Sequence, residues 1–340
     1  LKDKIKKVPR ITFFVGNFGA TAIVFLREPQ LIKEFCLKQE NDYIKSPSNL
    51  QAFEDLGGTG LALAEGEVWK KHRKIVSQAF HFEFIKGSVP TITRITADMF
   101  EKLRKKEDLS KVNILEEFQK ITGEIVGIIF FGDEFSKYTF DGQPLTKVIN
   151  DLALDLSATR TDIFKIIFGK KFLKAGIIPK HKKLYDKVFR FKEFCRNLVQ
   201  AKKKNPGTEN NLIKLFVEYQ NRNSSEFLTD DEIIEEYVTF LIAGMDTTAH
   251  LITMTIYALT RFPEVYQKLK QEIEKHLSSD ENQWTLDDLN KLDYTMAVLK
   301  EALRLWTPGP MLFTRIATRD HQLDYLKIKK GTLVTCALIS

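Results

Sequence analysis

The chain has 340 residues, of which 43% are hydrophobic and 29% are charged. These proportions are ordinary for a globular protein and exclude intrinsic disorder as the main state. Lys and Arg number 52 against 45 Asp and Glu, so the net charge is +7, and an anionic membrane surface or an acidic protein is open as a partner. The basic residues show no aromatic-interleaved motif, so we expect no nucleic-acid partner. The 3 Cys are far apart, which excludes a disulfide scaffold and a Cys-rich zinc site.

The N-terminal part of the chain begins with strand patterns and continues with helical ones. Alternating residues over 11–26, interrupted by glycines, predict a β-hairpin, and a proline begins a short predicted helix over 29–37. A glycine-rich loop at 57–60 precedes a basic amphipathic helix predicted over 67–80. The loop lacks the Lys-Ser/Thr pair of a phosphate-binding loop, so we expect it only to shape a turn. Most of 92–204 has helical periodicity.

The C-terminal part contains one long helical pattern. Thr229 and Glu232 form a capping-box sequence, and the pattern continues to Phe262, which precedes a proline. At ~1.5 Å per residue, such a helix is about 45 Å long. Further helices are predicted over 263–277 and 286–305, and strands over 313–340. The chain is therefore predicted to be mainly α with small β-sheets, its terminal β segments pairing with each other, and to form a single domain over 1–340.

The middle of the long helix carries polar residues inside an apolar pattern: Asp246, Thr247 and Thr248 follow Gly244 in the sequence AGMDTT. Three interpretations are open. In a core helix, the Thr hydroxyls bond back to the preceding turn and Asp246 meets a neighbouring Arg. In a transmembrane helix, the charge of Asp246 at mid-span is unfavourable. In a catalytic notch, Gly244 admits a flat ligand while the acid and the alcohol manage protons.

Two residue pairs and one isolated cation are further candidates for functional or structural roles. Trp69 and Arg73 are four residues apart, so the ring N–H and the guanidinium share a helix face and suit a carboxylate. A half-buried Trp beside a surface Arg is the simpler alternative. Glu301 and Arg304 lie three apart among leucines, which predicts a half-buried ion pair that locks the scaffold. Arg315 is an isolated cation in a strand-like run, and the alternative to a binding role is simple exposure at the surface.

In this order and spacing, these segments resemble the cytochrome P450 family of haem-thiolate monooxygenases. WKKHR (69–73) is similar to the family's helix whose Trp and Arg hold a haem propionate, and AGMDTT (243–248) is similar to its oxygen-activation motif. KEALRLWTP (300–308) is similar to the Glu-x-x-Arg helix, and RIATRD (315–320) to the following strand, whose Arg reaches a propionate. The resemblance covers nearly the whole chain, is least specific over 84–226, and implies a cytochrome P450 fold that is incomplete here.

The resemblance implies a monooxygenase with haem b that inserts one oxygen atom of O2 into an apolar small-molecule substrate. Electrons would come from an NADPH-dependent flavoprotein reductase. Thr247 is implied to hydrogen-bond dioxygen and a water, Asp246 to relay protons, and Ala243 and Gly244 to lie against the haem face. The residues implied to bind the propionates are Trp69, Arg73 and Arg315, and those implied to be structural are Glu301 and Arg304.

One departure from the family concerns the iron ligand. The family's axial Cys lies in a loop with Gly and Phe, well beyond the strands with which this chain ends, so we expect the axial Cys beyond Ser340. Cys36, Cys195 and Cys336 each lack those surroundings, and Cys336 is typical of a small buried hydrophobe. The N-terminal anchor and Pro-rich hinge of eukaryotic members are not found either. We therefore expect a partial domain that is inactive alone, from a protein at the cytosolic face of the endoplasmic reticulum membrane.

Two other classes of protein fit the sequence. One is a non-catalytic P450-like remnant or a small-molecule-binding protein that keeps this fold without haem. The other is a helical membrane protein that uses residues 232–262 as a span.

Overall fold

The structure is a computed structural model that describes residues 11–15, 22–46, 54–58, 60–77, 82–159, 162–205, 211–222, 227–311 and 314–338. Helices account for most of these residues. They are α1 (Pro29–Asp42), α2 (Gly66–Ser77), α3 (Phe82–Arg104), α4 (Ile114–Phe131), α5 (Leu145–Ala158), α6 (Ile163–Lys174), α7 (Pro179–Lys204), α8 (Leu212–Arg222), α9 (Asp230–Arg261), α10 (Pro263–His276), α11 (Leu286–Leu289) and α12 (Asp293–Leu305).

The strands form one larger sheet and two short antiparallel pairs. They are β1 (Ile11–Val15), β2 (Ala22–Leu26), β3 (Tyr43–Lys45), β4 (Thr139–Phe140), β5 (Gln143–Pro144), β6 (Arg315–Ala317), β7 (His321–Leu323), β8 (Leu326–Ile328) and β9 (Leu333–Cys336). The larger sheet has the order β1-β2-β9-β6-β3, and the short pairs are β4-β5 and β7-β8. The prediction of a mainly α protein with small β-sheets is confirmed.

The two ends of the chain pair as predicted. β1 and β2 form the antiparallel hairpin, with Ile11 opposite Leu26, and the turn residues 16–21 lie outside the described residues. β2 also pairs in parallel with β9, which places Leu26 opposite Cys336. The core beneath this sheet contains Leu26, Cys336 and the side chains of α1 that follow the helical spacing, such as Phe35.

The helix predicted over 286–305 is broken, and this prediction was wrong. Thr285 caps the short helix α11 by accepting a hydrogen bond from the backbone N–H of Asp288, and α12 begins only at Asp293. A side chain of another helix caps the start of α12. The Glu272 carboxylate of α10 accepts hydrogen bonds from the backbone N–H groups of Tyr294 and Thr295 at 2.7 and 2.8 Å. A carboxylate at this position satisfies amides that have no partner inside the helix, and its charge suits the helix dipole.

The described chain divides into two compact units. One consists of residues 1–51, 65–67 and 309–340 and contains the larger sheet. The other consists of residues 52–64 and 68–308 and contains nearly all the helices. The assignment of residues 1–340 to one domain stays a prediction. Among the described residues, no helix combines the length and apolar character needed to cross a membrane.

The core of the helical unit is rich in aromatic side chains, as the 26 Phe of the chain suggest. Phe130 and Phe131 of α4 contact Tyr237 of α9, with ring centroids 5.0 and 4.5 Å apart. Gly127 allows Phe135 to join this cluster, because a Cβ at position 127 would lie 2.0 Å from the Phe135 ring. Close packing of this kind tolerates little change of volume.

The long helix α9 matches its prediction closely. It runs over 32 residues from Asp230 to Arg261, a length of about 48 Å. Both halves of the capping box are present: the Thr229 hydroxyl accepts the Glu232 backbone N–H at 3.2 Å, and the Glu232 carboxylate accepts the Thr229 N–H at 2.7 Å. The glycine-rich loop lies directly on this helix, because a Cβ at Gly60 would be 2.3 Å from the Thr239 hydroxyl.

A buried polar contact joins α2 to α9. His72 Nδ1 and Glu236 Oε1 are 2.6 Å apart, and both side chains are 0% exposed. Glu236 Oε1 also accepts the Leu61 backbone N–H at 2.8 Å, and Glu232 lies 3.2 Å from His72 Nε2. Burial alone lowers the pKa of His72, but the two glutamates outweigh it and raise that pKa above its ordinary value. Burial raises the pKa of Glu236 as well.

Thr229→Ala should lower the free energy of unfolding by about 0.5–2 kcal/mol, because it removes the hydroxyl that caps α9. Urea denaturation followed by circular dichroism measures this. Thr96→Ala is the matched control, since that exposed hydroxyl bonds only to the carbonyl of Ile92 one turn back. If Thr229→Ala lowers the free energy of unfolding no more than Thr96→Ala does, the capping role assigned to Thr229 is wrong.

The His72–Glu236 contact should make the protein less stable as pH rises. The raised pKa of His72 means that its stabilising contribution is complete below its unfolded pKa, near 6.5, and is lost as pH rises through the folded pKa. The raised pKa of Glu236 acts in the same direction. We expect Glu236→Gln to flatten the fall in unfolding free energy between about pH 6 and pH 8. Exposed Glu264→Gln is the control, and an unchanged slope in Glu236→Gln would refute this assignment.

Candidate functional site

The polar residues in the middle of α9 have defined partners. The Thr247 hydroxyl donates to the Ala243 carbonyl at 2.6 Å, which is the back-bonding expected of a core helix. The Asp246 carboxylate accepts a hydrogen bond from the Gln119 amide of α4 at 2.9 Å, not from an Arg. The Thr122 hydroxyl of α4 donates to the Met245 carbonyl at 3.0 Å. α4 therefore supplies the groups that orient this part of α9.

The two sides of α9 differ at this point. Met245 and Ala249 are buried, and Met245 packs on α4, where a Cβ at Gly123 would lie 3.0 Å from its sulfur. Ala243 and Thr247 are exposed. The side of α9 on which Ala243 and Thr247 lie is therefore a small, exposed surface that carries the Thr247 hydroxyl, called here the uncovered stripe.

Gly244 lies on the side of α9 that packs against α4. A Cβ at position 244 would be 2.8 Å from Cγ2 of Val126, a stiff β-branched side chain of α4. The close neighbour that requires glycine is therefore helix α4. The predicted contact of Gly244 with a flat ligand stays a prediction, and Ala243 is the better placed of the two residues for it.

Trp69 and Arg73 share one face of α2, as their spacing indicates. Trp69 is half-buried and Arg73 is exposed. Arg73 forms no ion pair with any residue that the structure describes. These positions agree with the simpler alternative of a half-buried Trp beside a surface Arg, and they also leave the guanidinium accessible to an anion. The carboxylate-binding role stays a prediction.

The contact of α2 with α9 lies on the same side of α9 as the uncovered stripe. Glu236, which holds His72, precedes Ala243 by seven residues and Thr247 by eleven. At ~3.6 residues per turn, all three project from the same side of α9 within about 40°. α2 is therefore fixed on the side of α9 that the stripe faces, about two turns away from Ala243. Sequence reasoning missed His72 and Glu236, although a His and an acid inside amphipathic helices are a weak signal.

Arg315 lies in the other unit, next to a second cation. It is opposite Lys45 in the antiparallel pairing of β6 with β3, and its guanidinium is 3.4 Å from the Glu65 carboxylate. Burial is the main cause that lowers the pKa of Lys45 to about 8, and the charge of Arg315 lowers it further. Glu65 opposes that effect without cancelling it. Two cations beside one carboxylate favour the binding of an additional anion. The alternative that Arg315 is simply exposed at the surface was wrong, because its side chain is only 19% exposed.

The Glu301–Arg304 pair forms, but the prediction that it is half-buried was wrong. Nε and one Nη of Arg304 donate to the two carboxylate oxygens of Glu301 at 2.7 and 2.5 Å, and the side chains are 57% and 54% exposed. The leucines around the pair do not cover it, because Leu303 is itself 42% exposed. An exposed pair contributes little to stability, so its structural role stays a prediction.

Two of the three cysteines have the surroundings of structural residues. Cys195 and Cys336 are buried, and burial raises the pKa of each thiol, that of Cys336 to about 12. A thiolate is the form that binds a metal, so neither side chain is suited to that role. Cys36 is exposed. The structure describes no group of three or more His, Cys, Asp or Glu residues positioned to hold a metal ion.

The residues predicted for the site therefore fall into separate groups. The helical unit contains Trp69, Arg73, Ala243, Gly244, Asp246, Thr247, Glu301 and Arg304, and the sheet unit contains Arg315. Gln119, Thr122 and Lys45 join them as partners that sequence reasoning missed. Each of these three acts on a residue far away in the chain, and none belongs to a motif.

Comparison with known proteins shows the family to which the chain is similar. The family model of Cytochrome P450 matches residues 8–340. Among curated relatives, Cytochrome P450 709B3 of Arabidopsis thaliana is 30% identical over 84% of this chain and 54% of its own length. Two proteins of Catharanthus roseus also match: 7-deoxyloganic acid hydroxylase at 26% identity over 97% of this chain and 66% of its own, and secologanin synthase 2 at 28% over 96% and 64%. The chain thus spans between about half and two thirds of the length of these relatives.

The match extends over nearly every described element, from β1 to β9, and the segments around α2, α9 and α12 carry the residues discussed above. The relatives resemble the chain over more than four fifths of its residues. The chain belongs to the cytochrome P450 family.

Proposed function

We propose that the protein is a haem-dependent monooxygenase that inserts one oxygen atom of O2 into an apolar small-molecule substrate. One observation carries the proposal: α2, with Trp69 and Arg73, is fixed by the buried His72–Glu236 contact on the side of α9 that presents Ala243 and Thr247. This places a cationic helix on the same side of α9 as the small, uncovered stripe, about two turns away from Ala243. A flat, apolar group with acidic edges fits such a surface.

The residues present fit the porphyrin of haem b, the cofactor of the family. Ala243 and Thr247 are uncovered and small enough for a ring to lie against α9. Trp69 and Arg73 would hold one propionate with charge-assisted hydrogen bonds of about 1.5–3 kcal/mol each, and the propionate-binding role of Arg315 stays a prediction. The buried Cys195 and Cys336 do not fit the iron ligand, because burial raises the pKa of each thiol.

When bound, haem supplies the activation of dioxygen, and the residues of this chain manage the protons. Gln119 fixes the Asp246 carboxylate by a 2.9 Å hydrogen bond, so that the second carboxylate oxygen stays available. Thr247 donates to the Ala243 carbonyl, which leaves its oxygen lone pairs able to accept a hydrogen bond from a water. An acid held one residue from an exposed hydroxyl can pass protons to that water.

The relatives support an oxidation of small organic molecules. One is named as a hydroxylase of 7-deoxyloganic acid and another as a secologanin synthase. We propose a substrate of comparable size with apolar surface for this protein, and an NADPH-dependent flavoprotein reductase as electron donor. An acidic reductase surface would complement the net charge of +7.

Thr247→Ala should uncouple oxygen consumption from product formation in the haem-loaded full-length protein, because the hydroxyl that positions the proton-donating water is lost. Product formed per NADPH should fall several-fold while NADPH oxidation continues. Thr253→Ala is the control, since that hydroxyl bonds back to Ala249 in the same way six residues further along α9. A wild-type ratio of product to NADPH in Thr247→Ala would refute the proton-relay role, and absence of haem binding would favour the haem-free alternative.

We also propose that the protein associates with a membrane, at the cytosolic face of the endoplasmic reticulum. The support is an exposed apolar surface on residues 163–177, called here the apolar segment. Its exposed apolar members, 41–66% accessible, are Ile163, Phe164, Ile167, Phe168 and Ile177. Lys171 is exposed among them, so a basic group that can reach lipid headgroups accompanies the exposed apolar side chains.

The double variant Ile167→Ser with Phe168→Ser should weaken binding to phosphatidylcholine vesicles by at least tenfold, because two exposed apolar side chains leave the interface. Vesicle flotation measures the bound fraction. The matched control is Leu109→Ser with Phe100→Ser, which removes one aliphatic and one aromatic side chain exposed elsewhere on the helical unit. Equal losses in the two double variants would show that the apolar segment is not the contact.

A further inference from the structure

A cavity of about 280 Å³ lies where the end of α5, the start of α6 and the first turns of α7 meet. Its volume is at the lower end of the range of ligand pockets, ~300–1,000 Å³, so it suits a small polar group. Its charged and titratable lining residues are Asp155, Asp162, Lys180, His181, Lys183 and Lys187. None of these residues belongs to the site on α9.

The lining has an excess of positive charge. Lys180, Lys183 and Lys187 form no ion pair with residues in the described part of the chain. The Asp162 carboxylate is already engaged: it accepts the Phe164 backbone N–H at 2.9 Å and lies 3.2 Å from Nε2 of the buried His181.

Three lysines therefore line the cavity together with one carboxylate that has no such engagement, that of Asp155. Converging lysines are a common way to bind a phosphate group, since each ammonium acts as a point charge with several donors. The cavity is thus suited to a small anion of more than one negative charge.

The cavity is continuous along the chain with the apolar segment. Asp162 immediately precedes Ile163, and Lys180 follows Ile177 by three residues. Both ends of the apolar segment thus join residues that line the cavity. A charged group held there would lie next to the surface that we propose to contact lipid, which is the arrangement of a phospholipid, whose phosphate adjoins its acyl chains.

We propose that this cavity binds the phosphate of an anionic phospholipid headgroup, with Lys180, Lys183 and Lys187 as its ligands. This inference rests on the membrane contact proposed above and gives it a lipid preference. The apolar segment supplies binding to any bilayer, and the cavity adds binding to lipids whose phosphate is accessible and carries more than one negative charge.

The test compares vesicles of phosphatidylcholine with vesicles that also contain phosphatidic acid. The wild-type protein should bind the second kind at least tenfold more tightly, since each lysine near an anionic surface contributes about 1 kcal/mol, or roughly fivefold. The triple variant Lys180→Gln, Lys183→Gln, Lys187→Gln should lose most of this preference and bind phosphatidylcholine vesicles as the wild type does. If it keeps the preference, the inference is wrong.

A second triple variant removes the same charge elsewhere on the helical unit: Lys102→Gln, Lys105→Gln, Lys268→Gln, all exposed. It should keep the preference, and equal losses in the two triple variants would reduce the effect to net charge and overturn the site. Lysine acetylation read by mass spectrometry should show Lys180, Lys183 and Lys187 protected by the anionic vesicles. Equal protection by dissolved glycerol 3-phosphate would overturn the assignment to a lipid.

The two proposals fail in different ways. Failure to bind either kind of vesicle would remove the membrane contact itself and this inference with it. Binding to both kinds without preference would overturn only the headgroup site.

Discussion

The packing of α4 against α9 is the constraint on which the candidate site depends. A helix can leave one stripe uncovered only if its other sides are held firmly, and α4 holds α9 by three different contacts. Val126 fills the space that Gly244 leaves, Gln119 orients Asp246, and Thr122 donates to the Met245 carbonyl. The same interface contains the aromatic core around Tyr237. Rigid packing and the orientation of polar groups therefore come from one helix pair.

The contact of α2 with α9 has a different physical character. It is made by a buried His and a buried Glu, and such a pair is stable only when its remaining hydrogen-bonding capacity is satisfied. The Leu61 N–H donates to Glu236 Oε1, and the Glu232 carboxylate lies against the second ring nitrogen of His72. Glu236 Oε2 has no hydrogen-bond partner among the described residues. The pair gives α2 a fixed register on α9 that apolar side chains alone would not specify. Helix α2 presents Trp69 and Arg73 as a consequence.

Two groups of basic residues lie where an anion could bind. Lys45 and Arg315 face each other across two strands with Glu65 as their shared carboxylate, and the pKa of Lys45 is lowered mainly by burial and further by the charge of Arg315. On the helical unit, Lys180, Lys183 and Lys187 converge on a cavity beside an exposed apolar surface. The two groups differ in chemistry, because one is suited to a carboxylate and the other to a phosphate.

The sequence by itself determined the features that depend on near neighbours. The capping box at Thr229, the length of α9, the hairpin of β1 with β2 and the shared faces of Trp69 with Arg73 and of Glu301 with Arg304 all follow from local periodicity and capping, and the motifs identified the family. Only the tertiary structure decided which side of α9 is uncovered, that Gly244 accommodates Val126, that Gln119 holds Asp246, and that Glu301 and Arg304 are exposed. These outcomes depend on helices that are distant in the chain, because burial and hydrogen-bond partners are set by which surfaces meet and not by the residue types alone.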